Sequence, residues 1–136
     1  MLIMDWQKYS RYAPAVLRIG LSLVILWFGF SQLVEQQSWM GYMPASMQTM
    51  HQRMMGFPEP TTLVLLNGAF EVVLGVLLLL GIWVRPVAGL LALHLLGIVF
   101  SLGYNEIAVR DFGLMMGFIA VMLHGKDEWC LQGRKS

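Results

Sequence analysis

Four long apolar segments constrain this chain more than any other feature, because each is sized to cross a bilayer. A helix of roughly 20 residues covers the ~30 Å of hydrocarbon in a membrane. The first segment runs from about Pro14 to Val34, the second from about Thr61 to Ile82, and the third from Pro86 to about Gly103. The fourth is shorter: its uninterrupted apolar run, Phe112 to Leu123, would cover only about 18 Å. To span, that helix must begin near Ile107 and end near His124. This draws Arg110 and Asp111 about one turn below the surface.

Composition leads to the same class. Hydrophobic residues make up 57% of the chain and charged residues 12%, about half the charge of an ordinary soluble domain. A length of 136 residues allows a single domain. The net charge of +1, with no basic run, gives nucleic acid nothing to bind. One cysteine, Cys130, excludes an internal disulfide and a multi-cysteine metal site. No phosphate loop, catalytic triad or haem-binding histidine pair is present. The first segment is longer than a signal-peptide core and contains Arg18, so it reads as a retained helix.

Lysine and arginine outside the spans set the expected orientation. Lys8, Arg11, Arg85, Lys126, Arg134 and Lys135 fall on one side, and only Arg53 on the other. Both termini are therefore expected in the cytoplasm, with a multi-pass chain in the cytoplasmic membrane. The Glu35–Pro60 and Asn105–Glu106 connections are expected outside. Trp39, Tyr42 and Phe57 on the outer side suit interfacial anchoring, as do Trp6, Tyr9, Tyr12, Trp83 and Trp129 on the inner side.

Hydrocarbon is a poor solvent for charge, so an ionisable residue within a span faces protein or water and is a candidate functional residue. Helical spacing places Arg18, Ser22, Gly29 and Gln32 on one face of the first span, and Asn67, Gly68, Glu71 and Gly75 on one face of the second. His94, Gly97 and Ser101 share a face in the third span. Arg110, Gly113, Gly117, Ala120 and His124 form a stripe in the fourth. Small residues let membrane helices approach and polar ones bridge them. The expected fold is thus an all-α integral membrane four-helix bundle with a partly polar interior.

Depth sorts the polar residues into two expected layers. Arg18, Glu71 and His94 form an inner one, with Arg18 reaching by its long stem; Gln32, Glu35, Tyr104, Arg110 and Asp111 form an outer one. Either layer can serve structure alone by fixing helix register. Glu71 beside Arg18 would remain ionised and hold structure, whereas without such a partner burial favours its neutral form and a proton-carrying role. The sequence leaves both open.

The outer connection carries Met40, Met43, Met47, Met50 and Met54 at steps of three and four, with His51 and Met55 beside them. Thioethers with an imidazole form a soft-metal set suited to Cu(I), in which Met47, Met50, His51 and Met54 would be the ligands. The same spacing is what an amphipathic helix needs to lay an apolar face on a membrane or a partner. The latter is the simpler reading, with Pro44 breaking the run and leaving a helix over about Ala45–Gly56. Cys130 has acidic neighbours rather than the positive ones that activate a thiol.

"LRIGLSLVILWFGFSQL" at 17–33, "GFPEP" at 56–60, "GAFEVVLGVLLLLGIWVRPVAGL" at 68–90 and "RDFGLM" at 110–115 resemble the DoxX family of small membrane proteins. The resemblance runs from about Tyr12 to Leu131. It implies that Arg18, Glu71, Arg110 and Asp111 occupy the family's polar positions. It also implies kinship with the membrane subunit of thiosulfate:quinone oxidoreductase, hence a quinone and a partner redox enzyme. One departure is Gln32, where many members carry lysine; this weakens the case for an outer anion site.

Three functional classes follow. The first is a quinone-linked or accessory component of a membrane oxidoreductase, with Glu71 and His94 handling protons. The second is a non-enzymatic adaptor that recruits a redox enzyme. The third is a small proton-coupled transporter, which with four helices would need a homo-oligomer. The first is preferred, and its warrant is the family resemblance.

Overall fold

The computed structural model describes residues 5–133, so Arg134 and Lys135, two of the bases used to assign orientation, lie outside the described residues. Among these residues every regular element is an α-helix. Four helices are long and apolar enough to cross a membrane: α2 (Ala13–Val34), α5 (Pro60–Leu80), α6 (Val84–Leu102) and α7 (Glu106–His124). Their ends fall within two residues of the expected bounds. The short helix α1 (Trp6–Ser10) precedes the first span, and α3 (Gln36–Met40) and α4 (Ala45–Arg53) occupy the long connection.

Local signals explain where these helices start and stop. Pro60 opens α5, where a missing N–H costs nothing. Asn105 caps α7, its side chain accepting the Ala108 N–H at 2.8 Å. Gly81 ends α5 in the left-handed region, φ 74°, so that its own N–H reaches the Leu78 carbonyl and the Ile82 N–H reaches that of Leu77. A side chain at Gly81 would also meet the Cα of Cys130 at 2.6 Å.

α2 and α5 run antiparallel in close contact. A Cβ on Gly29 would lie 2.9 Å from the Gly68 carbonyl oxygen, and a Cβ on Gly68 would lie 2.8 Å from that of Gly29. Each glycine is thus the other's clearance. Further along, a Cβ on Gly75 would meet the Ile25 and Leu26 side chains at 2.9 Å. In lipid such close approach, rather than escape from water, holds helices together. α6 and α7 form the second tight pair. The faces expected on α2 and α5 are the ones that turn inward.

The other two faces differ from expectation. The buried stripe of α7 is Ala108, Asp111, Met115, Phe118 and Val121, while Gly113 has nothing near it and Arg110, Ala120 and His124 are exposed. On α6 the buried residues are Val84, Val87, Ala88, Leu91, Ala92 and Leu95, with Gly97 and Ser101 exposed. The helices rotate to bury bulk: Phe118 of α7 and Leu91 and Val84 of α6 are fully enclosed. A lipid solvent accepts small residues on the outside at no cost, so spacing alone misassigns them.

The apolar core fills the half of the bundle nearest the termini, built from α2, α5, α6 and α7 around Ile25, Leu78, Leu91 and Phe118. The polar residues of Glu71's neighbourhood lie beyond it, toward the α3–α4 connection. That connection carries the expected amphipathic helix as α4, where Met47 and Met50 are exposed, as is Met54 just past its end.

Candidate functional site

Arg18 does not meet Glu71. It is fully buried and donates from Nε to Asp127 Oδ2 at 2.6 Å and from Nη2 to Oδ1 at 3.2 Å. Its Nη1 donates to the carbonyls of Leu78 and Leu79 at 2.8 and 2.6 Å. The Leu80 carbonyl accepts the Leu131 N–H at 3.0 Å. With the Gly81 turn, all four terminal carbonyls of α5, which lack intrahelical partners, are thereby satisfied. Arg18 is a helix cap and an anchor for the segment that follows α7. The expected inner layer of Arg18, Glu71 and His94 is therefore corrected: Arg18 belongs to the terminal end of the bundle.

Asp127 is the residue that sequence reasoning missed. Nothing in its surroundings marked it as buried; only the return of the chain after Gly125 brings it to Arg18, 109 positions away. Burial pushes its carboxyl up, but the hydrogen bonds from Arg18 and the Trp129 N–H outweigh this and hold it below its ordinary value of 3.8. A group depressed on folding contributes stability above its unfolded pKa and loses it as pH falls through the folded value. Below pH 4 or so, the 125–133 segment should loosen, seen as faster amide exchange at Cys130 and Leu131. An exchange profile unchanged down to pH 2 would count against the anchor. Burial also pushes the Cys130 thiol above its usual range, in keeping with an unreactive cysteine.

Glu71 is buried, roughly midway along α5, and its partners are uncharged amides and one imidazole. Gln32 Nε2 donates to Glu71 Oε2 at 2.8 Å. Asn67 Nδ2 donates to Gln32 Oε1 at 2.6 Å and to Glu71 Oε1 at 3.2 Å. His94 Nε2 lies 3.3 Å from the same Oε1, its ring tilted against Phe70 with centroids 4.8 Å apart. Three helices therefore converge on one carboxylate: α2 by Gln32, α5 by Asn67 and Glu71, α6 by His94. The Gly29–Gly68 contact makes this convergence possible, because it brings Gln32 within reach of Asn67 and Glu71.

Gln32 thus leaves the outer layer in which its depth along the helix had placed it. Of the rest of that layer, Arg110 and Asp111 pair with each other at 2.8 Å, and the Arg110 guanidinium stands 4.2 Å over the Phe28 ring. Tyr104 is fully exposed and joins neither cluster. Asp111 is buried and is neutralised by its neighbour, so this pair reads as a structural fixture. On α4, His51 Nδ1 is engaged with the Phe57 carbonyl at 2.7 Å, closing the loop into α5.

A groove of about 500 Å³ lies over the Glu71 cluster. Leu63, Val64 and Asn67 of α5 and Leu93, His94, Gly97 and Ile98 of α6 form its floor and sides. Trp39, Tyr42, Met43, Pro44 and Met47 of the α3–α4 connection cover one end. Its size and mostly apolar lining with a few polar groups are those of a small-molecule site. Gln32, Asn67 and His94 all reach its surface, with Glu71 behind them. His94 spends Nε2 on Glu71, which leaves Nδ1 for a ligand. An imidazole backed by a carboxylate can take up or release a proton at Nδ1 while the pair remains hydrogen-bonded.

The family profile of DoxX matches residues 13–103. It spans Arg18, Gln32, Asn67, Glu71 and His94, and stops short of Arg110, Asp111 and Asp127. No curated protein and no solved structure matches the chain.

Proposed function

Since the chain belongs to the DoxX family, we propose that it is a quinone-linked accessory component of a membrane redox system, with both termini in the cytoplasm. The observation that carries this reading is the apolar groove ending on His94, itself backed by the buried Glu71. A quinone is an apolar ring and tail with carbonyl oxygens at the ring, and this lining suits it: apolar walls for the body, and an imidazole with neighbouring amides for the oxygens. When bound, a quinone takes up two electrons with two protons.

The residues of this chain supply the proton side of that chemistry. His94 Nδ1 exchanges the proton, Glu71 holds the ring orientation and balances its charge, and Gln32 and Asn67 fix the carboxylate. Electrons come from a partner oxidoreductase, which is why the role is accessory. Arg18 plays no part, being committed to Asp127 and α5.

The test is a titration of the purified protein in lipid nanodiscs with a short-chain ubiquinone, followed by quenching of tryptophan fluorescence, Trp39 being in the groove wall. Saturable quenching is expected, weakened roughly tenfold by His94→Phe, the size of one lost buried hydrogen bond. Glu71→Gln takes away the carboxylate that orients the His94 ring and should weaken binding as well. Unsaturable quenching, or equal affinities in wild type and His94→Phe, would sink the reading.

A further inference from the structure

A second cavity, of about 730 Å³, lies at the terminal end of the bundle. Its walls are the start of α6 (Trp83, Arg85 and Pro86), the end of α7 (His124) and the returning segment (Lys126 and Gln132). Among the described residues two cations and an imidazole line it, and no carboxylate does. Among the described residues neither Arg85 nor Lys126 enters an ion pair. Asp127, the acid nearest in sequence, is spent on Arg18.

The walls are tied in place. Gln132 accepts the Trp83 N–H with its side chain at 2.9 Å, and its carbonyl accepts from Lys126 Nζ at 3.3 Å. Arg85 lies directly against Gly125, where a Cβ would stand 2.6 Å from its Nε. Arg85 is exposed, but its guanidinium rests on the end of α7, and the absence of a side chain at Gly125 leaves room for it there. The first turn of α6, in the same wall, adds the positive end of a helix dipole. Trp83, exposed beside the cavity, is of the type that sits at the headgroup level of a bilayer.

We propose that this cavity binds a phosphate-bearing anion of the kind carried by anionic lipid headgroups. Arg85 and Lys126 supply the charge, Arg85 offers a planar fork suited to phosphate oxygens, and Trp83 and Pro86 meet the glycerol and upper chain. Basic pockets at the ends of membrane helices recognise such headgroups through charge and hydrogen bonding together. The site is independent of the groove over Glu71 and occupies the opposite end of α6.

The experiment is native mass spectrometry of the full-length protein in a neutral detergent, titrated with phosphatidylglycerol, with phosphatidylcholine, and with inorganic phosphate. Saturable phosphatidylglycerol adducts are expected, with phosphatidylcholine far weaker. Arg85→Gln and Lys126→Gln should each lower the affinity roughly fivefold, whereas Lys8→Gln, an exposed base of α1 at the same end, should leave it unchanged. Displacement of the adduct by millimolar phosphate would assign the site to the phosphate group alone, and persistence would assign it to the lipid headgroup as a whole. Equal adducts of the two lipids would overturn the proposal, as would an Arg85→Gln/Lys126→Gln variant that keeps the phosphatidylglycerol affinity, or an equal loss in Lys8→Gln.

Discussion

Asp127→Ala and Arg18→Ala should each lower the unfolding free energy by about 3–5 kcal/mol, the cost of stranding one charge of a buried pair. Both side chains are almost wholly enclosed, and the low dielectric around them makes an orphan charge far more costly than at a surface. The two variants should nevertheless differ in kind. Asp127→Ala leaves Arg18 on the Leu78 and Leu79 carbonyls but frees the returning segment, so Cys130 should become much more reactive toward alkylating agents. Arg18→Ala additionally orphans the end of α5. The double variant Arg18→Met/Asp127→Leu removes both charges and should recover most of the loss. A residue of about 1–3 kcal/mol should remain, for the carbonyls left without donors. Unfolding by sodium dodecyl sulfate in mixed micelles, followed by circular dichroism, compares the three variants with the wild type. Single-variant losses below about 1 kcal/mol, the size of an exposed ion pair, would mean that water reaches the pair.

Glycine-to-alanine substitutions should divide by sign. At Gly29 or Gly68 the added methyl meets backbone oxygen below 3 Å, and a helix must move rather than a side chain. Overpacking of this kind costs about 1–3 kcal/mol. At Gly20 and Gly113 nothing lies within 4 Å, and alanine should stabilise by up to about 1 kcal/mol through helix propensity. The first pair carries a functional consequence that the second lacks. Pushing α2 from α5 separates Gln32 from Glu71 and Asn67, so ligand affinity at the groove should fall together with stability. Thermal unfolding and the quinone titration on the same four variants test this. Losses of equal size at Gly68 and Gly113 would remove the α2–α5 contact as the organiser of the site.

The groove and the anchor also differ in how they were legible. Glu71 and His94 were identified from sequence because a charge or an imidazole inside an apolar helix is conspicuous wherever its partner lies. Their grouping with Arg18 was wrong because a long stem can reach either way along the bundle, and Arg18 turns to Asp127 and the end of α5 instead of toward Glu71. Arg18 and Glu71 come from neighbouring helices in contact, yet they serve opposite halves of the bundle. Gln32 was assigned to the outer rim by its place near the end of α2. Only the close crossing at Gly29 and Gly68 carries it to Asn67 and Glu71. Trp39, Tyr42 and Met43 gave no signal as groove walls, because an interfacial aromatic and a cavity-lining one look alike in a chain of letters.

What the sequence by itself determined is the membrane class, the number of spans and the glycine-bearing faces of α2 and α5. These depend on hydrophobic length and short-range spacing, quantities that a linear chain contains. What only the tertiary structure decided is which charge meets which, how α6 and α7 turn, and that Asp127 folds back to seal the terminal end. Those outcomes depend on helix rotation and on contacts up to 109 residues apart. In lipid, where small and apolar residues are equally at home outside, the burial of bulk and the pairing of charge settle them.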